Sequence, residues 1–134
     1  MTTRDAIIDS GVLAAAANPH DKTNRWALGK LAAIQGEAIT CEAAITEAVH
    51  LVKNNAMAVE RLKDLLGTMK IIELGDQAPA LLDEVRRFTP RMDYADACAV
   101  RLQKRNELSY VLTVDHKDFT IYGVPFASPR GAFY

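Results

Sequence analysis

Two aspartates directly follow short apolar runs, where a carboxylate could contact a bound ligand. Asp9 follows Ala6–Ile8, and Asp115 follows the run at 110–114. In open α/β sheets, ligands bind beyond the carboxyl ends of the strands, and neighbouring strands lie about 4.8 Å apart. If these two runs form neighbouring strands, both carboxylates lie side by side at one sheet edge. Aspartate in this position also caps a following helix or forms a turn, so a purely structural role is the alternative.

Further acids fall on predicted helices. Glu47 borders the apolar face of its helix, where a carboxylate seldom lies without a partner or a metal. Glu42 lies near the start of the same helix, where a negative charge interacts favourably with the helix dipole. Asp93 and Asp96 have i, i+3 spacing, so they are also candidates for the N-cap and the reciprocal acid of a capping box.

Four carboxylates gathered at one sheet edge would constrain the chemistry there. At an effective dielectric of 20 and a separation of about 5 Å, each pair repels by roughly 3 kcal/mol. Such a group is therefore either partly protonated or neutralised by a divalent cation. Oxygen ligands without His or Cys favour Mg²⁺ or Mn²⁺ over zinc, and acidic clusters holding these ions commonly serve phosphoryl chemistry.

The elements that would position these acids alternate along the chain. Strands are predicted at Ala6–Ile8, 38–40, 70–74 and 110–114, with a fifth at 120–124. Helical spacing is found at 26–34, 44–52, 59–69, 81–88 and 94–105. Strands that are apolar throughout and alternate with helices predict an α/β fold, a three-layer α/β/α sandwich with a mainly parallel sheet of four to five strands.

Composition bounds the remaining possibilities. The 134 residues carry 16 Lys plus Arg against 17 Asp plus Glu, which fits a single domain spanning 1–134 and lacks the basic character of a non-specific nucleic-acid coat. Cys41 and Cys98 lie far apart in sequence and outside any metal-binding motif, so buried free thiols are expected. The N-terminal apolar stretch has no secretory pattern and is too short for a membrane span, so we expect a cytoplasmic protein without membrane association.

Four short segments together resemble one known family. These are Ile8-Asp9-Ser10-Gly11, Ile45-Thr46-Glu47-Ala48, Asp93-Tyr94-Ala95-Asp96-Ala97, and Leu112-Thr113-Val114-Asp115 followed by Asp118-Phe119. In this order they resemble the PIN-domain family, and most closely its VapC-type members, the toxin subunits of bacterial toxin–antitoxin pairs. The resemblance extends from Ala6 to about Tyr122. It implies a PIN-like fold and a Mg²⁺- or Mn²⁺-dependent endoribonuclease that cleaves RNA phosphodiester bonds with a metal-activated water.

The resemblance also implies roles for individual residues. The family's catalytic, metal-holding acids match Asp9, Glu47, Asp96 and Asp115, with Asp93 as an accessory ligand or a cap. Glu42 competes with Glu47 for the helix position but fits the motif less well. Ser10 and Thr113 match small polar residues that support the site, and Asp118 is expected to fix the turn that follows it.

Partners follow from the same resemblance. It implies an RNA substrate and a small antitoxin protein that lays a helix or an extended tail near the acids. A homodimer is also expected, and the apolar residues of 59–69 either offer a surface for one of these contacts or pack in the core. Because some PIN domains have lost catalysis, the alternative function is a catalytically silent binding or assembly module.

Overall fold

The computed structural model describes residues 3–134, in which short strands alternate with helices. The strands are β1 (Ala6–Ile8), β2 (Ala38–Cys41), β3 (Lys70–Ile72), β4 (Tyr110–Leu112), β5 (Phe126–Ser128) and β6 (Gly131–Phe133). The helices are α1 (Ser10–Ala17), α2 (Asn24–Ala32), α3 (Glu42–Leu51), α4 (Ala56–Leu66), α5 (Ala78–Arg87), α6 (Tyr94–Arg105) and α7 (His116–Tyr122). A 3-10 turn, Gly75–Gln77, precedes α5.

The strands form one sheet in the order β3-β2-β1-β4-β5-β6. All neighbours are parallel except β5 and β6, which are antiparallel. The predicted fold class, a mainly parallel α/β/α arrangement, is confirmed, with six strands where four to five were expected. Since β1 lies between β2 and β4, the residues that follow these three strands meet at the same sheet edge.

Two largely buried helices, α1 and α6, pack near that edge. In α1, Ser10 and Val12–Ala17 are buried, and the helix packs against α2, α3 and α4. Helix α6 packs against α5 and lies on β1, β2 and β4, and its interior residues are mostly Ala, Cys and Val. Helix α3 contacts both α1 and α6. The three helices α1, α3 and α6 therefore form one packed group.

The prediction of a fifth strand at 120–124 is wrong. This segment belongs mostly to α7, which begins after the N-cap Asp115 and ends at Tyr122, followed by the C-cap Gly123 with φ of 75°. Phe119 and Tyr122 are buried at i, i+3 spacing, so the run of Thr, Ile, Tyr and Val that suggested a strand is the packed face and flank of a short helix. The fifth strand begins four residues later than this helix ends, at Phe126.

The remaining element predictions differ from the structure mainly at their ends. Strands β3 and β4 end two residues before the predicted limits of 74 and 114, and α1 was not predicted as a separate helix. Its apolar residues surround the helix on nearly all sides and therefore show no helical period. Within residues 3–134, no helix is long and apolar enough to cross a membrane.

Candidate functional site

Asp9 lies at the centre of the carboxyl edge of the sheet. It follows β1, it is only 5% exposed, and its backbone N–H donates to the Leu112 carbonyl of β4 at 3.0 Å. Its carboxylate is the N-cap of α1: Oδ1 accepts the Ser10 N–H at 2.9 Å, and Oδ2 accepts the Thr113 hydroxyl at 2.8 Å. Burial raises the pKa of Asp9 from 3.8 to about 6, and repulsion from Asp93 and Asp115 adds to burial, while the two hydrogen bonds oppose it.

Asp115 lies beside Asp9, beyond the end of β4. Its carboxylate is the N-cap of α7 and accepts the Asp118 N–H at 3.0 Å. Its own N–H donates to the Thr113 hydroxyl oxygen at 3.0 Å. Desolvation raises the pKa of the Asp115 carboxyl, and the positive charge of Arg91 acts in the opposite direction. Thr113, which is fully buried, therefore joins Asp9 and Asp115 through one hydroxyl group.

Asp93 and Asp96 form the predicted capping box at the start of α6. The Asp96 N–H donates to Asp93 Oδ1 at 2.7 Å, and the Asp93 N–H donates to Asp96 Oδ2 at 3.4 Å. Asp96 Oδ2 also accepts the Tyr122 hydroxyl at 2.9 Å. Burial raises the pKa of Asp96 from 3.8 to about 7, and the charges of Asp9 and Asp93 raise it further. The first turn of α6 thus brings a third and a fourth carboxylate into electrostatic range of Asp9.

Glu47 lines a cavity that Asp93 of this group also lines. It is half-buried in the second turn of α3, and it shares a cavity of about 740 Å³ with Asp93 and Tyr94. Glu42 and Glu73 line the same cavity. The structure therefore groups Asp9, Asp93, Asp96 and Asp115, and Glu47 joins Asp93 in lining the adjoining cavity.

Tyr122 contacts the acidic group, and sequence analysis did not predict it as a site residue. Its ring is buried and packs edge-to-face on Phe88 and Phe119, which directs its hydroxyl towards Asp96. The tyrosine follows Asp118 at i+4 on α7, so recognising the helix at 116–122 would have placed both side chains on one face of α7. Asp118, which was expected to fix a following turn, lies in the first turn of α7 and forms a 3.2 Å ion pair with Arg91.

The two cysteines are also neighbours, although they are distant in sequence. Cys41 ends β2 and precedes α3, and Cys98 lies in the second turn of α6, which packs on β2. Both thiols are buried and free, as expected. The Cys98 side chain lowers the pKa of Cys41, burial opposes this shift, and the first backbone N–H groups of α3 add to it. Both residues line the cavity that contains Glu47 and Asp93.

The acidic group suits a divalent cation in its donor chemistry. Its side chains offer only carboxylate oxygens, and the raised pKa values of Asp9 and Asp96 reflect negative charges held close together with little solvent. Hard oxygen ligands of this kind match Mg²⁺ and Mn²⁺. Over residues 3–134, no three His, Cys, Asp or Glu side chains already surround a single metal position.

Comparison with known structures identifies the fold class as that of VapC-type PIN-domain toxins. The crystal structure of Mycobacterium tuberculosis VapC20, a toxin that cleaves the sarcin–ricin loop, matches with a TM-score of 0.76 and 18% identity, over 89% of this chain and 95% of that chain. VapBC2 from Rickettsia felis, solved with a DNA fragment from its promoter, matches with a TM-score of 0.62 and 15% identity, over 87% of this chain and 92% of that chain. At these sequence identities, the similarity shows a shared fold and nothing finer. No protein-family model and no curated protein matches the sequence.

Proposed function

We propose that this protein is a metal-dependent endoribonuclease that cleaves RNA phosphodiester bonds and acts as the toxin of a type II toxin–antitoxin pair. The observation that carries the proposal is the convergence of Asp9, Asp96 and Asp115 at the carboxyl edge of a VapC-like sheet. All three carboxyl groups have raised pKa values. Carboxylates concentrated in this way destabilise the metal-free protein, and a divalent cation would relieve their repulsion.

Each residue of the site has a role in this proposal. Asp9, Glu47, Asp96 and Asp115 would hold Mg²⁺ or Mn²⁺, with Asp93 as an accessory acid that also caps α6. When bound, the cation supplies activation of a water molecule and neutralises charge that develops on the phosphate. Thr113 and Tyr122 fix the orientation of Asp9 and Asp96 by hydrogen bonds. Ser10 supports Asp9 through its backbone N–H.

The cavity beside the acids explains why a cation would have to bind before RNA. Four carboxylate side chains line it, from Glu42, Glu47, Glu73 and Asp93. An RNA phosphate approaching this surface without a cation is repelled, whereas a divalent ion at the edge of the cavity attracts it. We therefore expect RNA affinity near the site to depend on Mg²⁺ or Mn²⁺.

The likeness to a VapBC complex supports a protein partner for this chain. We expect a small antitoxin that covers the acidic edge of the sheet, a homodimer of this chain, and action in the cytoplasm. A short reading frame for a DNA-binding protein immediately upstream of this gene would support the pairing. Co-expression of that protein with this chain, followed by co-purification, tests the pairing directly.

Cleavage of a synthetic RNA tests the catalytic proposal. We expect cleavage with Mg²⁺ or Mn²⁺, none with EDTA, and none from the Asp9→Asn variant. Asp64→Asn is the matched control, because Asp64 is an exposed carboxylate on α4, outside the acidic group. Cleavage that persists with EDTA or in the Asp9→Asn variant would indicate a contaminating nuclease.

Thermal unfolding with Mn²⁺ distinguishes the nuclease from a silent module. A cation at a hundredfold excess over its Kd stabilises the folded state by about 2.7 kcal/mol, which raises the melting temperature. We expect this rise in the wild type and in Asp64→Asn, and its loss in Asp96→Asn. No rise in the wild type, together with no cleavage, would favour the catalytically silent module.

A further inference from the structure

The hairpin formed by β5 and β6 lies beside the acidic group. Strand β5 runs parallel to β4, so its carboxyl end meets the same sheet edge as Asp115. The hydroxyl oxygen of Ser128, the last residue of β5, accepts the Arg130 N–H at 3.1 Å and lies 3.1 Å from His116 Nδ1. Since His116 directly follows Asp115, two short contacts connect the turn of the hairpin to the neighbour of a candidate metal ligand.

Two basic side chains near the acids have no carboxylate partner. Arg130, in the turn of the hairpin, and Lys117, in the first turn of α7, are both exposed. The ion pairs within residues 3–134 involve neither of them, whereas Arg91 pairs with Asp118. A guanidinium suits a phosphate group well, because its N–H donors form two parallel hydrogen bonds to phosphate oxygens.

The outer strand of the hairpin presents an aromatic ring to solvent. Phe133 of β6 is 46% exposed, although it stacks on the buried Phe126 with ring centroids 5.1 Å apart. The His116 ring packs edge-to-face on Phe133, with centroids 4.8 Å apart. A side chain at position 131 would cover part of the Phe133 ring, because a Cβ there would lie 3.5 Å from it, and Gly131 has none. Phe133 is therefore held by two rings, and nearly half of its surface is open to a third.

The charges on the two sides of the acidic group differ in sign. The cavity on the side of β2 and β3 is lined by Glu42, Glu47 and Glu73. On the side of β5 and β6, the exposed charges of Arg130 and Lys117 are positive and unpaired. A polyanion is therefore attracted to the acidic group from the side of the hairpin and repelled from the side of the cavity.

We propose that the β5–β6 hairpin is a docking surface for single-stranded RNA, on which Arg130 binds a phosphate and Phe133 stacks with a base. The nucleotide bound in this way flanks the bond that is cleaved, so the inference rests on the proposed function. Unpaired bases stack on aromatic side chains, and every base has a face that can do so. Bases inside a duplex already stack on their neighbours, so the hairpin selects single strands.

Fluorescence anisotropy of a labelled single-stranded RNA tests the role of Arg130 separately from cleavage. Ca²⁺ replaces Mg²⁺ in this experiment, and a gel of the same samples shows that the RNA is intact. We expect Arg130→Gln to raise the Kd about tenfold and to reduce the slope of log Kd against log salt concentration by about one. Arg25→Gln, which removes an exposed charge from α2, should change neither quantity. An unchanged Kd and slope in Arg130→Gln would overturn the proposal.

Two substitutions of Phe133 test the stacking contact. Phe133→Ala should raise the Kd at least about fivefold, whereas Phe133→Trp keeps a stacking ring and should bind RNA as the wild type does. Leu28→Ala is the matched control, because Leu28 is an exposed apolar residue of α2 with 44% exposure. Equal losses in Phe133→Ala and Phe133→Trp, at an unchanged melting temperature of Phe133→Trp, would refute stacking.

Ultraviolet cross-linking locates the bound strand directly. RNA that contains 4-thiouridine should become joined to the C-terminal peptide 131–134, and cross-links confined to other segments would overturn the proposal. RNA that the wild type and the hairpin variants bind and cleave equally well would refute the docking surface and leave the nuclease standing. RNA that cross-links to the hairpin without being cleaved in Mg²⁺ or Mn²⁺ would count against the nuclease alone, and absence of RNA binding would overturn both.

Discussion

The Thr113 hydroxyl donates a 2.8 Å hydrogen bond to Asp9 Oδ2, from the end of one strand to the end of its neighbour. The same oxygen of Thr113 accepts the Asp115 N–H at 3.0 Å. One fully buried side chain therefore fixes the relative positions of two candidate metal ligands. Because a hydroxyl can donate one bond and accept another, Thr and Ser alone among small residues can do both.

Replacing Thr113 with Val should raise the pKa of Asp9 above its value of about 6, since the hydrogen bond from Thr113 lowers it. The pH at which Mn²⁺ begins to stabilise the protein should then rise by about one unit. Unfolding should become easier by about 1–3 kcal/mol, because two buried polar groups lose a partner. Thermal unfolding with Mn²⁺ across pH 5–9 measures both effects. Thr68→Val, which removes an exposed hydroxyl that donates to the Leu65 carbonyl just after α4, should change neither.

The metal-free protein should become less stable as the pH rises from about 4 to 7. The folded pKa values of Asp9 and Asp96, about 6 and about 7, lie above the value of 3.8 for a solvated Asp, so the folded state binds more protons than the unfolded state in this range. For the fully buried Asp9, the difference corresponds to about 3 kcal/mol of lost stability.

Urea unfolding of the Asp9→Asn variant isolates this contribution. Asn retains the oxygen that caps α1 but carries no charge, so its stability should depend less on pH than that of the wild type. At pH 8 without divalent cations, we expect Asp9→Asn to be more stable than the wild type, and at pH 5 the difference should largely vanish. A gap between the two proteins that stays constant with pH would contradict the raised pKa of Asp9.

The two functions of Asp93 can be separated by two substitutions. Asp93→Ala removes the capping box of α6 and should cost about 1 kcal/mol, whereas Asp93→Asn keeps a good N-cap and should cost little. Both remove a charge that raises the pKa values of Asp9 and Asp96, so both should shift the acid limb of the cleavage profile to lower pH. Loss of the Mn²⁺ response in Asp93→Asn would instead make Asp93 a required ligand.

Tyr122→Phe should make cleavage more sensitive to pH. The Tyr122 hydroxyl bonds Asp96 Oδ2 and lowers the pKa of Asp96, so its removal leaves more of that carboxyl protonated at pH 7. If the pKa of Asp96 rises by about one unit from about 7, its ionised fraction at pH 7 falls from about one half to about one tenth, so we expect a loss of about fivefold in cleavage at pH 7 and almost full recovery at pH 9. Tyr110→Phe is the control, because Tyr110 stacks on Tyr134 away from the acids. Equal losses at both pH values would show that Tyr122 acts through packing.

Sequence analysis predicted the bounds of those helices and strands that are set by a few neighbouring residues. Helix α6 has the predicted bounds, Tyr94–Arg105, because a capping box starts it and basic residues end it. Strand β1 also has its predicted bounds. The segment at 120–124 was misassigned because residues of high strand propensity also form the packed face of a short capped helix.

Contacts between distant segments could not be predicted in this way. The contact between Tyr122 and Asp96 depends on how α7 packs against α6, and the cavity that Cys41 and Cys98 share depends on α6 lying over β2. The proximity of Asp9 and Asp115 was predicted only on condition that their strands are neighbours, and the sheet order meets that condition. Glu47 lies on the predicted helix, but its distance from the other acids is set by the packing of α3 against α1 and α6.

Three of the candidate acids, Asp9, Asp93 and Asp115, each begin a helix. Asn caps a helix about as well as Asp, so exchanging one for the other removes charge and leaves the helix starts intact. In the genetic code, every Asp codon becomes an Asn codon by a change of its first base. On the proposed function, such a gene is therefore one nucleotide change away from encoding a folded but inactive relative, so catalysis can be lost while the fold is kept.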